Sequence, residues 1–194
     1  AFIMSGLIPW TFLSQTLASG LECLVSNHTL LNKVPIPPQS LVLSESYTYL
    51  INLLFSLPVL LVVIIIGKID LSFYMLQYLY FTFLLFILAN SLSIILSFLY
   101  VYFRDVKFLM SIVLLFSFYL TSIMYAKNMI PAAYFNFFYC NPIGILFISL
   151  HDSILEPKWI PAEYYLATTV WTAFFLILSI FVLNKYEDGV VESL

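Results

Sequence analysis

Charge is what this sequence has least of. Only 9% of its 194 residues are Asp, Glu, Lys or Arg, whereas 63% are hydrophobic. A water-soluble domain carries roughly a quarter charged residues, so a soluble globular surface is excluded, and a mean hydropathy of +1.05 agrees. The net charge of −3 is too thinly spread to form an acidic or basic partner surface, and no nucleic-acid partner is expected. Cysteine is scarce as well. Cys23 and Cys140 are far apart in apolar stretches, which predicts two unpaired buried thiols rather than a disulfide. Two distant histidines without a Cys/His cluster predict no metal site. No G-x-x-x-x-G-K-[ST] loop occurs, so the chain binds no nucleotide that way, and no cofactor is expected. A serine nucleophile elbow is missing too. Asp152 and Glu156 form the close acidic pair of their region, and their spacing suits a solvated helix end better than a catalytic dyad.

What remains is a series of apolar runs parted by short charged breaks. Uncharged stretches cover 1–21, 46–67, 71–103, 108–126 and 164–184. A crossing needs about 20 apolar residues, so these runs predict an all-α polytopic membrane protein with about five transmembrane helices. The 128–150 run is uncharged but broken by Pro131, Pro142 and Gly144. It suits short re-entrant helices, because irregular backbone at membrane depth must be shielded by protein. No basic n-region precedes the first run. The chain is expected to begin inside or just before a membrane helix, with an N-terminal portion missing. No span centre holds an Asp, Glu, Lys or Arg, so a proton-relay or ion-coupled mechanism lacks its usual residues. A transporter built this way must borrow its energy from elsewhere.

Five spans put the 26–46 segment, the "RDVK" loop and the C-terminal tail on one side, and the "KID" turn and 127–163 on the other. The first side holds Lys33, Arg104, Lys107 and Lys185, against Lys68, Lys127 and Lys158, which predicts that the first side is cytoplasmic. The 71–103 run exceeds one crossing and should tilt or project. Asn90, Ser93 and Ser97 share a face of it beside Ala89, either as a packing seam or as a pathway lining. Aromatic residues make up 19% of the chain. Trp10, Tyr100, Tyr102, Tyr119 and Tyr125 are candidates to line a pathway for sugars, and interfacial aromatic belts are the alternative account.

The motifs "SGLIPWTFLSQTL" (5–17), "SNHTLLNKVPIP" (26–37), "VYFRDVKFLM" (101–110), "FYCNPIGILFISLHDSIL" (138–155) and "LNKYEDGVVESL" (183–194) come in one order. In that order they resemble the permease subunit of ABC-2 type transporters, most closely the branch exporting O-antigen, capsule and teichoic acid. The resemblance covers essentially the whole chain as one permease domain, residues 1–194. It lacks counterparts of the family's N-terminal amphipathic helix and first membrane helix, and the full chain would have six spans.

The resemblance implies a homodimer in the inner membrane, in contact with membrane lipid, and carrying a lipid-linked glycan. A separate ABC ATPase subunit would supply the energy, so the chain itself would be no enzyme. It further implies that Asn27, Leu30, Leu31, Lys33, Val34 and Pro37 form the ATPase-coupling segment. In that segment Asn27 would cap a short helix, Leu30 and Leu31 would face the partner, and Lys33 would sit near the helix C-terminus. Pro35, Pro37 and Pro38 would then stop the helix and hold a rigid turn into the next span. Arg104 and Asp105 would be a hydrogen-bonded pair bracing the cytoplasmic loop. Asn141, Pro142 and His151 would belong to an external gate. The chain departs from the family pattern at His151, where an arginine is common, at Ser122, where a proline is, and at Pro38, where an arginine is usual. The remaining readings are an ABC-2 permease for drugs or simple lipids, and a membrane-embedded enzyme of glycan or lipid assembly.

Overall fold

The computed structural model describes residues 2–33, 36–68, 72–121, 123, 140–156 and 158–193. Among them every regular element is helical. In chain order these are α1 (Phe2–Ser26), α2 (His28–Lys33), α3 (Pro38–Ile66), α4 (Leu76–Tyr102), α5 (Val106–Leu120), α6 (Pro142–Leu155) and α7 (Ala162–Ser193), with a 3-10 turn at Phe73–Met75.

Three of these helices are long and apolar enough to cross a membrane: α3, α4 with its leading 3-10 turn, and α7 as far as Tyr186. The chain is a membrane protein of all-α architecture. Helix α1 has 25 residues, long enough to span, but Ser5, Ser14, Gln15, Thr16, Ser19 and Glu22 dilute its apolar character. Helix α5 has 15 residues, about 22 Å at 1.5 Å per residue, and ends at Thr121 in extended backbone. Beyond Thr121 only Ile123 of the expected 108–126 span is described, and the first arm of the expected re-entrant pair lies outside the described residues.

Two element boundaries differ from the sequence reading. The 26–46 segment is not mainly loop. Helix α1 runs on to Ser26, and α3 begins at Pro38, whose fixed φ suits the first helical turn. The polar tail after Asn184 does not leave the last span either, because α7 continues as helix to Ser193.

Helix α1 lies against α3, α4, α5 and α6, and α4 also packs on α7. The tightest of these seams is made by small residues. A Cβ added at Gly20 would stand 1.7 Å from Ser93 Oγ, and Ser93 Oγ donates to the Thr16 carbonyl at 3.3 Å. The α4 stripe is therefore a packing seam at Ser93, of the kind that lets membrane helices approach closely. The main core joins Leu13 and Leu17 of α1, Phe81, Leu85 and Leu88 of α4, and Ile145, Leu146 and Phe147 of α6.

The ends of the helices sort as the alternation of spans requires. One end gathers Glu22, Glu45, Tyr102, Lys107 and Tyr186, tied by Lys107–Glu22 at 2.9 Å, Ser19–Glu45 at 2.7 Å and the Tyr102–Tyr186 rings at 6.4 Å. The other gathers Ser5, Gln77, Tyr78, His151 and Ile160, tied through Ser5–His151, Tyr78–Ser5 and Ile160–Gln77.

Candidate coupling end and external gate

At the first end, α2 hangs from the terminus of α1. Asn27 does not cap α2 with its side chain as expected. Its Nδ2 instead donates back to the Cys23 carbonyl at 2.9 Å, closing α1. The Asn27 carbonyl accepts from Leu30 N and Leu31 N at 3.0 and 3.2 Å, which starts the next helix. The two leucines then part company. Leu31 is 6% exposed, packed with Cys23, Leu24, Val42, Ile94, Phe98 and Val101, whereas Leu30 is 40% exposed. The expected two-leucine partner face is thus one residue wide. Leu30 and the exposed Lys33 remain on the outside, with Lys33 in the last turn of α2 as anticipated. Pro37 stands at the cap of α3 with φ −57° and ψ 128°, an extended lead-in. Val34 and Pro35 lie outside the described residues.

The expected Arg104–Asp105 brace is replaced by two other contacts. The Arg104 guanidinium lies over the Tyr100 ring, 5.3 Å from its centroid. The Asp105 main-chain carbonyl accepts from Phe108 N and Leu109 N at 3.1 and 3.2 Å, opening α5 without a side-chain cap. The charged tie across this end is Lys107 with Glu22 of α1. Its hydrogen bond to Glu22 holds the Lys107 ammonium above its ordinary pKa.

At the opposite end, Asn141 and Pro142 do what their residue types favour. Asn141 Oδ1 accepts from Ile143 N at 3.1 Å, and Pro142 occupies the first turn of α6. Helix α6 then runs outward until its last turn meets the start of α4. His151 is not a surface group there. It is 3% exposed, its ring stacks on Phe2 with centroids 4.4 Å apart, and Nδ1 lies 2.9 Å from Ser5 Oγ. Gly6 makes room for it, since a Cβ there would stand 2.5 Å from the imidazole Nε2. An arginine-like contact to substrate from His151 does not fit this burial. Asp152 is also buried rather than solvated, and Glu156 turns to Lys158 at 2.7 Å, so the two acids form no dyad. Cys23 is a buried free thiol whose sulfur accepts from Asn27 Nδ2 at 3.9 Å, whereas Cys140, expected to be buried, is exposed.

The aromatic candidates scatter. Trp10 is a core anchor between Phe118 and Phe147, at 5.6 and 5.9 Å. Tyr100 carries Arg104. Tyr102 lines an apolar groove of about 340 Å³ with Phe98, Leu99, Phe103, Val182 and Tyr186. Tyr119 is exposed on α5, and Tyr125 lies outside the described residues. Among the described residues, Trp10, Tyr100, Tyr102 and Tyr119 stand in four different surroundings.

Compared with known proteins, the chain is 26% identical over 163 residues to the O-antigen export system permease protein RfbA of Klebsiella pneumoniae. That match covers 80% of this chain and 60% of the relative. A second protein of the same name and organism is 24% identical, across 100% of this chain and 74% of its own length. This chain is similar to O-antigen export permeases. No family model matches it. It thus spans three fifths of one such permease and about three quarters of the other.

The resemblance drawn from the five motifs agrees with these comparisons, whose relatives are named O-antigen export permeases. Sequence reasoning missed Gln77, whose side-chain amide has four hydrogen-bond partners. A lone amide at the edge of an apolar run was the available signal, since burying it demands partners.

Proposed function

We propose that this chain is the membrane permease subunit of an ABC exporter, moving a lipid-linked polysaccharide across the cytoplasmic membrane. ATP hydrolysis on a separate ATPase subunit would drive it, and two permease copies would enclose the path. The similarity to two O-antigen export permeases carries the reading. The long spans support it, because none holds an Asp, Glu, Lys or Arg at its centre. The end bearing Lys33, Arg104, Lys107 and Lys185 is assigned to the cytoplasm, and with it the C-terminus. The ATPase would dock there on the outer side of α2, through Leu30 and Lys33. The whole chain then acts as one permease domain.

The test is affinity purification of the tagged complete protein in mild detergent. A P-loop ATPase should accompany it, and Leu30→Asp with Lys33→Glu should release that ATPase while the permease stays folded. A stable, folded permease that never brings down an ATPase ends this reading. Leu31→Asp is the wrong probe, since it would bury a carboxylate and unfold the end of α1.

A further inference from the structure

Gln77 lies at the start of α4 and is 4% exposed. Its Nε2 donates to the Tyr74 carbonyl at 2.9 Å and to the Lys158 carbonyl at 3.1 Å. Its Oε1 accepts from Ile160 N at 3.0 Å and from the Tyr165 hydroxyl. Two donors and two acceptor sites are all an amide has, and every one is used. Bonding the carbonyl of residue 158 and the N–H of residue 160 grips residue 159 from both flanks.

The residue so gripped is Trp159. It is 61% exposed, and Tyr74 meets it edge-on with centroids 5.5 Å apart. Beside it stands the exposed Glu156–Lys158 ion pair at 2.7 Å.

We propose that Trp159 is a carbohydrate-stacking platform on the external end of the subunit, and that Gln77 is the positioning residue that fixes it. The proposal rests on the export reading above and names a contact for its cargo. A sugar ring offers flat C–H faces that pack on an indole, and hydroxyls that bond a carboxylate or an ammonium. Trp159 with Tyr74 supplies the aromatic face, and Glu156 and Lys158 beside Trp159 in the chain supply the charged groups. A tryptophan that merely anchors a helix at the bilayer boundary gets there by partition, and its backbone needs no holding. Here a buried amide holds both flanking residues, which lowers the ordering cost when a ligand lands on the ring. A single stacking face binds weakly, as a polymer that must keep sliding requires.

The experiment uses the complete protein in its own cells, with surface polysaccharide and permease abundance both measured. Trp159→Tyr keeps an aromatic face, whereas Trp159→Leu keeps only apolar bulk. Leucine should lower surface polysaccharide at least about fivefold and tyrosine should stay within about twofold, both at normal abundance. The emission of Trp159, taken as the difference between wild type and Trp159→Tyr, should be quenched little by brominated lipid in vesicles. In Gln77→Met the same emission should lose anisotropy, and export should fall as it does for leucine. Wild-type export by Trp159→Leu with the ATPase still bound overturns the platform alone, and so does strong bromolipid quenching. Absence of both surface polysaccharide and ATPase in wild type overturns the export reading itself.

Discussion

Helices α5 and α6 have 15 and 14 residues and are both strongly apolar, yet they meet opposite surroundings. Every residue of α6 from Gly144 to Ile154 is buried, whereas no residue of α5 is. On α5, only Met110, Leu114 and Phe118 rest against the core, and Phe108, Leu109, Phe116 and Tyr119 face outward. The difference lies in the polar residues. Helix α6 packs Ser149, His151, Asp152 and Ser153 into less than two turns, and such a cluster can sit at membrane depth only when protein surrounds it. Helix α5 keeps Ser111 satisfied on its own Phe108 carbonyl at 2.7 Å and can face lipid or a second subunit. In a lipid solvent, then, polar side chains mark the inside of the protein and purely apolar stripes its outside.

That contrast can be broken most forcefully by truncating one aromatic on each helix. Phe147→Ala on α6 should cost about 3–5 kcal/mol, because it opens a cavity beside Trp10. Phe116→Ala on α5 should stay within about 0.5 kcal/mol, as read from thermal unfolding in detergent. Comparable losses for the two would mean that α5 is as enclosed as α6.

A smaller effect is expected where α1 receives α6. Gly6→Ala pushes a methyl toward the His151 ring and should destabilise by about 1–3 kcal/mol. The same substitution at Gly20 meets Ser93 Oγ, so Ser93→Ala should recover part of its loss in a double-mutant cycle. Ser5→Ala removes the hydroxyl beside His151 Nδ1 and should cost about 1 kcal/mol. The smallest effect belongs to α5. Lys107→Ala breaks an exposed ion pair with Glu22, and its unfolding midpoint should be indistinguishable from wild type in 1 M salt, where such pairs are screened.

Much of the architecture was legible in the sequence. The over-long third run became a helix that starts in a 3-10 turn at Phe73 and ends at Tyr102, and the small residues on it gave the seam at Ser93. The relative placement of the loops followed from counting spans. What the sequence hid was direction. Six residues from His28 to Lys33 are too few for periodicity to decide which leucine turns inward, so Leu30 and Leu31 looked alike. Adjacent opposite charges suggested an Arg104–Asp105 pair, but the ring of Tyr100 one turn back was the nearer partner. The resemblance and the span count put His151 at the external gate but say nothing of its burial, because its stacking partner Phe2 lies far away in sequence. Gln77 drew no notice because its partners at residues 158, 160 and 165 are brought to it only by the return of α6 and α7.

The burial of Leu31 has a mechanical consequence. With that side chain wedged among α1, α3 and α4 residues, and with Asn27 bonded to the last turn of α1, α2 is less a hinged flap than the crank on a shaft. A force applied at Leu30 acts through an arm of only a few residues before it reaches α1. That helix lies against α3, α4, α5 and α6, and at its far end Ser5 holds His151. Under the proposed reading, a torque entering at α2 would be carried along α1 toward the end that holds His151.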